Sequence, residues 1–370
     1  MKLCLSRLSR RKFLAASAAM AMAPKLPGAA IEPVKEFRRG GMVYRQLGKS
    51  ELYVSLLSYG SHTDPAYKIK APHGQVLNTE GQQRRDRQLA RSIDLGVNMV
   101  DTYENNGQWE PVARVVKPRR DKVLVSLCRQ FPMFVGENID RAAKLYGHVD
   151  LYRIYVGAGK AVRPEDLEDW DVLRKAKKAG KLRTIGISTH SEAIMMSALE
   201  EFEDLDYVMF PYNFIHARTD YTDFLPAARK KGVGLIAIKP LSAGSIVNLD
   251  PLARPGTTPE NHNMRLYRDS HRPLPPAVVA ELTKSLKRMP DETLCQAALR
   301  FVYTRPFMTS AMPGMFEDYM VEDNYQALQR SLSLGREEQS TLDAARNVAE
   351  AMGPGWLPPH YRWLDKEFRA

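Results

Sequence analysis

The sequence predicts an α/β fold of the (β/α)8, or TIM, barrel type, its floor closed by an N-terminal β-hairpin plug. Three observations predict it. Short β-branched apolar runs recur along the chain, amphipathic stretches separate them, and glycine follows several of those stretches where a helix needs a left-handed cap. Parallel strands joined by crossover helices produce that alternation. Eight such units in 370 residues fit a closed barrel better than an open sheet.

The elements follow in order. Residues 1–30 have the three-part build of an export signal: a basic start, a short apolar run from Phe13 to Ala23, then small residues. Within it, Ser9-Arg10-Arg11-Lys12-Phe13-Leu14 resembles the twin-arginine motif. That motif is an address read by an export machinery that carries folded proteins, and it implies a periplasmic or secreted destination. Cleavage falls after Ala23 or Ala30, and Pro24 favours the second. Residues 31–41 read as a linker, residues 42–352 as the barrel and residues 353–370 as a C-terminal tail. Met42 to Leu47 turns at Gly48-Lys49-Ser50 into Leu52 to Val54, the hairpin. Strands are expected at Leu56 to Tyr59, Val97 to Asp101, Val123 to Cys128, Val149 to Tyr155, Arg183 to Ser188, Tyr207 to Pro211, Gly234 to Ile238 and Met308 to Ala311. Helical segments such as Arg84 to Leu95, Glu165 to Ala179 and Asp220 to Lys231 lie between them, ended by Gly96, Gly180 and Gly232. The proline-rich, polar stretch from Asn248 to Pro276 reads as a long loop over the barrel mouth.

Composition narrows the function. Without the six basic residues of the first thirty, the net charge falls from +11 to +5, and what remains is spread over helix faces. That excludes a nucleic-acid partner. No run of eighteen apolar residues exists, so no stable membrane span is expected. Of three cysteines, Cys4 lies in the signal, while Cys128 and Cys295 are flanked by apolar residues. No Cys-x-x-Cys occurs and the eight histidines are scattered, so no metal site is expected.

Five segments, in order between Met42 and about Ala351, resemble the aldo-keto reductases. They are the opening hairpin at 44–50; Asp94 to Thr102, ending in an aspartate; Gly180 to His190; Ile238-Lys239-Pro240-Leu241; and Pro313-Gly314 with Glu322 and Asn324 beyond it. Gly157-Ala158-Gly159-Lys160 lacks the earlier glycine of a phosphate loop and reads as an ordinary loop.

The resemblance implies hydride transfer between a nicotinamide cofactor, NAD or NADP, and a small carbonyl or alcohol substrate. In that family a tyrosine supplies the proton, tuned by a lysine paired with a buried aspartate, and a histidine orients the substrate. Here the aspartate is Asp101, but the tyrosine position holds Asn106, the lysine position Cys128 and the histidine position Tyr155. An amide has no accessible proton to deliver, and a neutral thiol does not replace an ammonium. Arg129 is adjacent, but alternation along a strand turns it toward the helices. Tyr155, or Tyr103 after a slip in the loop, is a candidate substitute acid, the alternative being that each simply packs.

For the cofactor, the resemblance implies Ser188 and Thr189 at the nicotinamide amide, Met209 and Ile238 in place of a glutamine and a stacking tyrosine, and Lys239 and Leu241 beside the ring. Gly314, Glu322 and Asn324 take the adenosine end, where Glu317 is expected to repel a 2′-phosphate. Two functions follow: an oxidoreductase with an altered site, or a catalytically inactive exported barrel that binds a small ligand or a protein.

Overall fold

The computed structural model describes residues 33–61, 65–71, 74–103, 106–129, 134–157, 159–214, 223–241, 276–315 and 317–352. The signal segment, most of the loop at 248–276 and the tail at 353–370 lie outside the described residues.

Three strands come first: β1 (Glu36–Arg39), β2 (Met42–Gln46) and β3 (Tyr53–Ser55), an antiparallel sheet in that order. Residues 36–39 thus add an outer strand to the hairpin from within the segment read as a linker. Next come β4 (Tyr59–Gly60), a small hairpin of β5 (Lys68–Ala71) and β6 (Gly74–Leu77), then α1 (Thr79–Asp94) and β7 (Met99–Thr102). The barrel continues through α2 (Trp109–Val116), β8 (Leu124–Cys128), α3 (Val135–Tyr146), β9 (Val149–Tyr155), α4 (Pro164–Lys178) and β10 (Leu182–Ser188). It is completed by α5 (Glu192–Glu201), β11 (Tyr207–Pro211), α6 (Phe224–Lys230), β12 (Gly234–Ile238), α7 (Pro276–Leu286), α8 (Leu294–Tyr303) and β13 (Ser310–Met312). Two further helices follow, α9 (Asp318–Gln329) and α10 (Arg336–Met352).

Eight parallel strands run in the order β4, β7, β8, β9, β10, β11, β12, β13. Bridges between Leu57 and Ala311 and between Gly60 and Gly314 nearly close the ring. This is the (β/α)8 barrel expected of the alternation. Helix α1 starts earlier than its apolar pattern, because the Asn78 side chain caps it by accepting from Gly81 N at 2.9 Å. Gly96, Gly180 and Gly232 take positive φ of 96°, 74° and 68°, the left-handed caps expected after α1, α4 and α6.

The hairpin closes the floor. Leu47, Leu52 and Val54 pack with Met99, Leu151, Tyr207, Met209, Ile236 and Met312, the inward residues of the strands. The approach is close at Gly48 (φ 54°), where a Cβ would lie 2.3 Å from Gly232 O. Arg45 fixes the hairpin's orientation by donating to Tyr303 O at 2.9 Å and Met308 O at 2.8 Å. The outward residues of the strands, among them Tyr152 and Ile154, pack beneath the helices in a separate, larger core. No helix among the described residues is long and apolar enough to cross a membrane.

Candidate active site

Strand alternation decides what faces the mouth. In β9, Leu151 belongs to the floor, so Arg153 and Tyr155, two and four residues on, rise on the same inward side. Parallel register sets Cys128 beside Arg153, Ser126 beside Asp101, and Ser188 beside Tyr155. Asp101, Cys128 and Tyr155 therefore stand at the carboxyl ends of three successive strands, where barrel sites form.

Asp101 is fully buried and paired. Arg153 donates to both of its oxygens, Nη1 to Oδ1 at 2.5 Å and Nη2 to Oδ2 at 3.0 Å, and Ser126 Oγ donates to Oδ1 at 2.6 Å. Burial would pull the Arg153 guanidinium down, but the Asp101 carboxylate more than offsets this and holds it above its usual range. The cation that the sequence reading misses is thus on the next strand over from Cys128. The alternation that turns Arg129 outward also turns Arg153 inward, and that signal was sufficient to find it. Arg129 faces outward and pairs with Asp169 on α4.

Cys128 is buried, and burial pushes its thiol up; the Arg153 charge and a hydrogen bond with Ser188 pull only partly the other way. The thiol stays protonated at neutral pH and is a poor nucleophile. Asn106 opens a short turn of 3-10 helix before α2, but its side chain lies outside the described residues. Tyr103 follows β7, its backbone N donating to Ser61 Oγ at 3.2 Å. Tyr207 is a buried phenol whose Oη has no partner among the described residues, and burial raises it well above its ordinary value. Its ring lies against Gly186, where a Cβ would come within 2.6 Å of it. Tyr207 is fully buried among the residues of the floor.

At the mouth, Tyr155 is 38% exposed and its Oη lies 3.3 Å from His190 Nδ1. His190 Nε2 lies 3.2 Å from Lys239 Nζ. The turn that positions His190 uses Thr189, whose Oγ1 accepts from Ser191 N at 3.2 Å, and Ser191, which caps α5. Lys239 has φ 52°, a conformation costing a non-glycine residue roughly 1–2 kcal/mol. Asn213 Nδ2 holds it there by donating to its carbonyl at 3.0 Å.

The cofactor positions divide. Ser188 is buried beside Tyr155 and hydrogen-bonded with Cys128, Thr189 is fully buried with its hydroxyl committed to the turn, and Met209 is sealed in the floor. Ile238 and Leu241 are half-buried around the exposed end of β12. Gly314 is exposed at the bridge with Gly60. Glu317 does not stand as an unopposed charge, because Arg84 of α1 pairs with it. Arg91 similarly pairs with Glu322 at 2.5 Å. Asn324 is 4% exposed, and its Nδ2 has no partner among the described residues, a state that costs about 1–3 kcal/mol unless a ligand or water satisfies it. Among the described residues no three His, Cys, Asp or Glu side chains gather to hold a metal.

Residues 78–347 match the profile of the Aldo/keto reductase family. The chain belongs to that family. L-galactose dehydrogenase of Arabidopsis thaliana is 22% identical over 325 residues, which span 83% of this chain and 94% of that protein. The apo aldo-keto reductase AKR11C1 from Bacillus halodurans has a TM-score of 0.61 at 20% identity, covering 81% of this chain and 95% of that one. An aldo/keto reductase from Klebsiella pneumoniae, in complex with NADP and acetate, gives 0.57 at 19% identity, covering 79% and 91%. At such identities the solved structures show a shared fold. As an aldo/keto reductase, this chain is an oxidoreductase by family, with Arg153 rather than a lysine paired to its buried aspartate.

Proposed function

We propose that this protein is a nicotinamide-dependent oxidoreductase that reduces a small carbonyl compound or oxidises the corresponding alcohol through an altered site. The observation that carries the reading is the buried Asp101–Arg153 pair at the carboxyl end of the strands. Such a pair adds little stability over apolar packing of the same volume, so its position argues for a site rather than a scaffold. The residues present fit the cofactor at both of its ends. Ser188 stands beside Tyr155 at the end of β10, and the orphaned Asn324 amide offers a buried donor at the adenosine end. When bound, the reduced cofactor supplies a hydride. NADP in the Klebsiella relative supports the same class of cofactor here, and the Arg84–Glu317 pair leaves both NAD and NADP to be tested. A relative named as a sugar dehydrogenase supports testing the oxidative direction as well.

The test is fluorescence titration of the purified chain with NADH and NADPH, followed by turnover against panels of aldehydes and alcohols. Binding with slow turnover is the expected result. Failure to bind either nucleotide would leave the second reading, an inactive barrel that binds another small ligand or a protein, which the apolar Met209 and Ile238 favour. We also propose that residues 1–30 are a twin-arginine signal delivering the protein to the periplasm or outside. A reporter fused to them should lose export when Arg10 and Arg11 both become lysine, and undiminished export would refute the assignment.

A further inference from the structure

Three side chains at the mouth form a hydrogen-bonded line that the family pattern does not contain. Tyr155 comes from the end of β9, His190 from the turn after β10 and Lys239 from the residue after β12. The two links are 3.3 Å and 3.2 Å long. Donor chemistry gives the line a direction. An ammonium has only hydrogens to give, so His190 Nε2 accepts from Lys239. A neutral imidazole then carries its hydrogen on Nδ1 and donates it to Tyr155 Oη. The phenol's own hydrogen is not used on the ring.

We propose that Tyr155 is the proton donor of carbonyl reduction, with His190 and Lys239 as positioning residues that hold the imidazole tautomer and resupply the proton. This rests on the nicotinamide reading above. As the carbonyl carbon gains its hydride, the carbonyl oxygen takes the Tyr155 proton; an alcohol O–H forms and the phenol O–H breaks. Nδ1 passes its hydrogen to the phenolate while Nε2 takes one from Lys239. Lys239, left as a neutral amine, recovers a proton from water. Each transfer reverses in alcohol oxidation. Arg153 lies two residues before Tyr155 on the same side of β9, one layer below the phenol and paired with Asp101. The acid is thus carried by β9, where the family pattern expects it in the loop after β7.

The test uses the full chain with NADPH or NADH, whichever binds. Tyr155→Phe should lower kcat about a hundredfold or more, with substrate KM and nucleotide Kd nearly unchanged. Nitrogen-15 NMR of the histidines, with His190 assigned through His190→Gln, should show a protonated Nδ1 and a bare Nε2. Lys239→Met should shift that tautomer and lower kcat, while Lys239→Arg should retain it. Native-like kcat in Tyr155→Phe, or a hydrogen on Nε2 in the unaltered protein, overturns the proposal and leaves the cofactor reading standing. Absence of nucleotide binding by the unaltered protein overturns that reading and the proposal with it. Circular dichroism of each variant separates loss of the proton donor from loss of the fold.

Discussion

Replacing Arg153 with methionine isolates the ion pair on which the site is built. The guanidinium makes two hydrogen bonds to Asp101 and a third, at 3.2 Å, to Ser126 Oγ. Removing it leaves a fully buried carboxylate with a single hydroxyl partner. Breaking one side of a buried pair costs about 3–5 kcal/mol. At a urea slope near 3 kcal/mol per molar, the unfolding midpoint at pH 7 should fall by roughly 1–1.7 M. Adding Asp101→Asn removes the stranded charge and should recover much of the loss at pH 7. Urea titrations of both single variants and the double variant at pH 7 form the measurement. A single variant within about 0.5 kcal/mol of the unaltered protein, or a double variant no better than the single, would refute the pairing argument.

Gly48→Ala should destabilise the barrel by about 2 kcal/mol or more, since a left-handed φ is combined with a Cβ 2.3 Å from Gly232 O; a change under about 0.5 kcal/mol in urea unfolding would contradict it. Cys128 should alkylate far more slowly than Cys295 at pH 7, with a rate that rises only at alkaline pH because burial raises its thiol; peptide mapping by mass spectrometry distinguishes the two. Asn324→Leu should weaken nucleotide binding about tenfold without lowering the thermal midpoint, because the amide it removes has no protein partner; unchanged affinity in fluorescence titration would remove Asn324 from the cofactor site.

A lysine restored at position 128 would now meet a guanidinium from the neighbouring strand, so rebuilding the family set requires removing Arg153 as well. That coupling marks the boundary between what the sequence determined and what the tertiary structure decided. Local physics is written in the chain: β-branched runs and their spacing give the eight strands, glycines give the left-handed caps, and the run ending at Asp101 gives the strand that carries the carboxylate into the mouth. Period-two alternation is equally local, which is why Arg129 could be assigned to the helix side, and it turns Arg153 inward as well, although the sequence reading passed over that residue. Which cation meets Asp101 depends on the register between strands 52 residues apart. The Tyr155–His190–Lys239 line depends on closure of the barrel mouth and on one left-handed residue held by Asn213. Arg84 and Glu317 are 233 residues apart, and nothing in their local sequence couples them. Contacts of that kind arise only when the sheet closes on itself, because curvature and register bring side chains together that no periodicity of the chain relates.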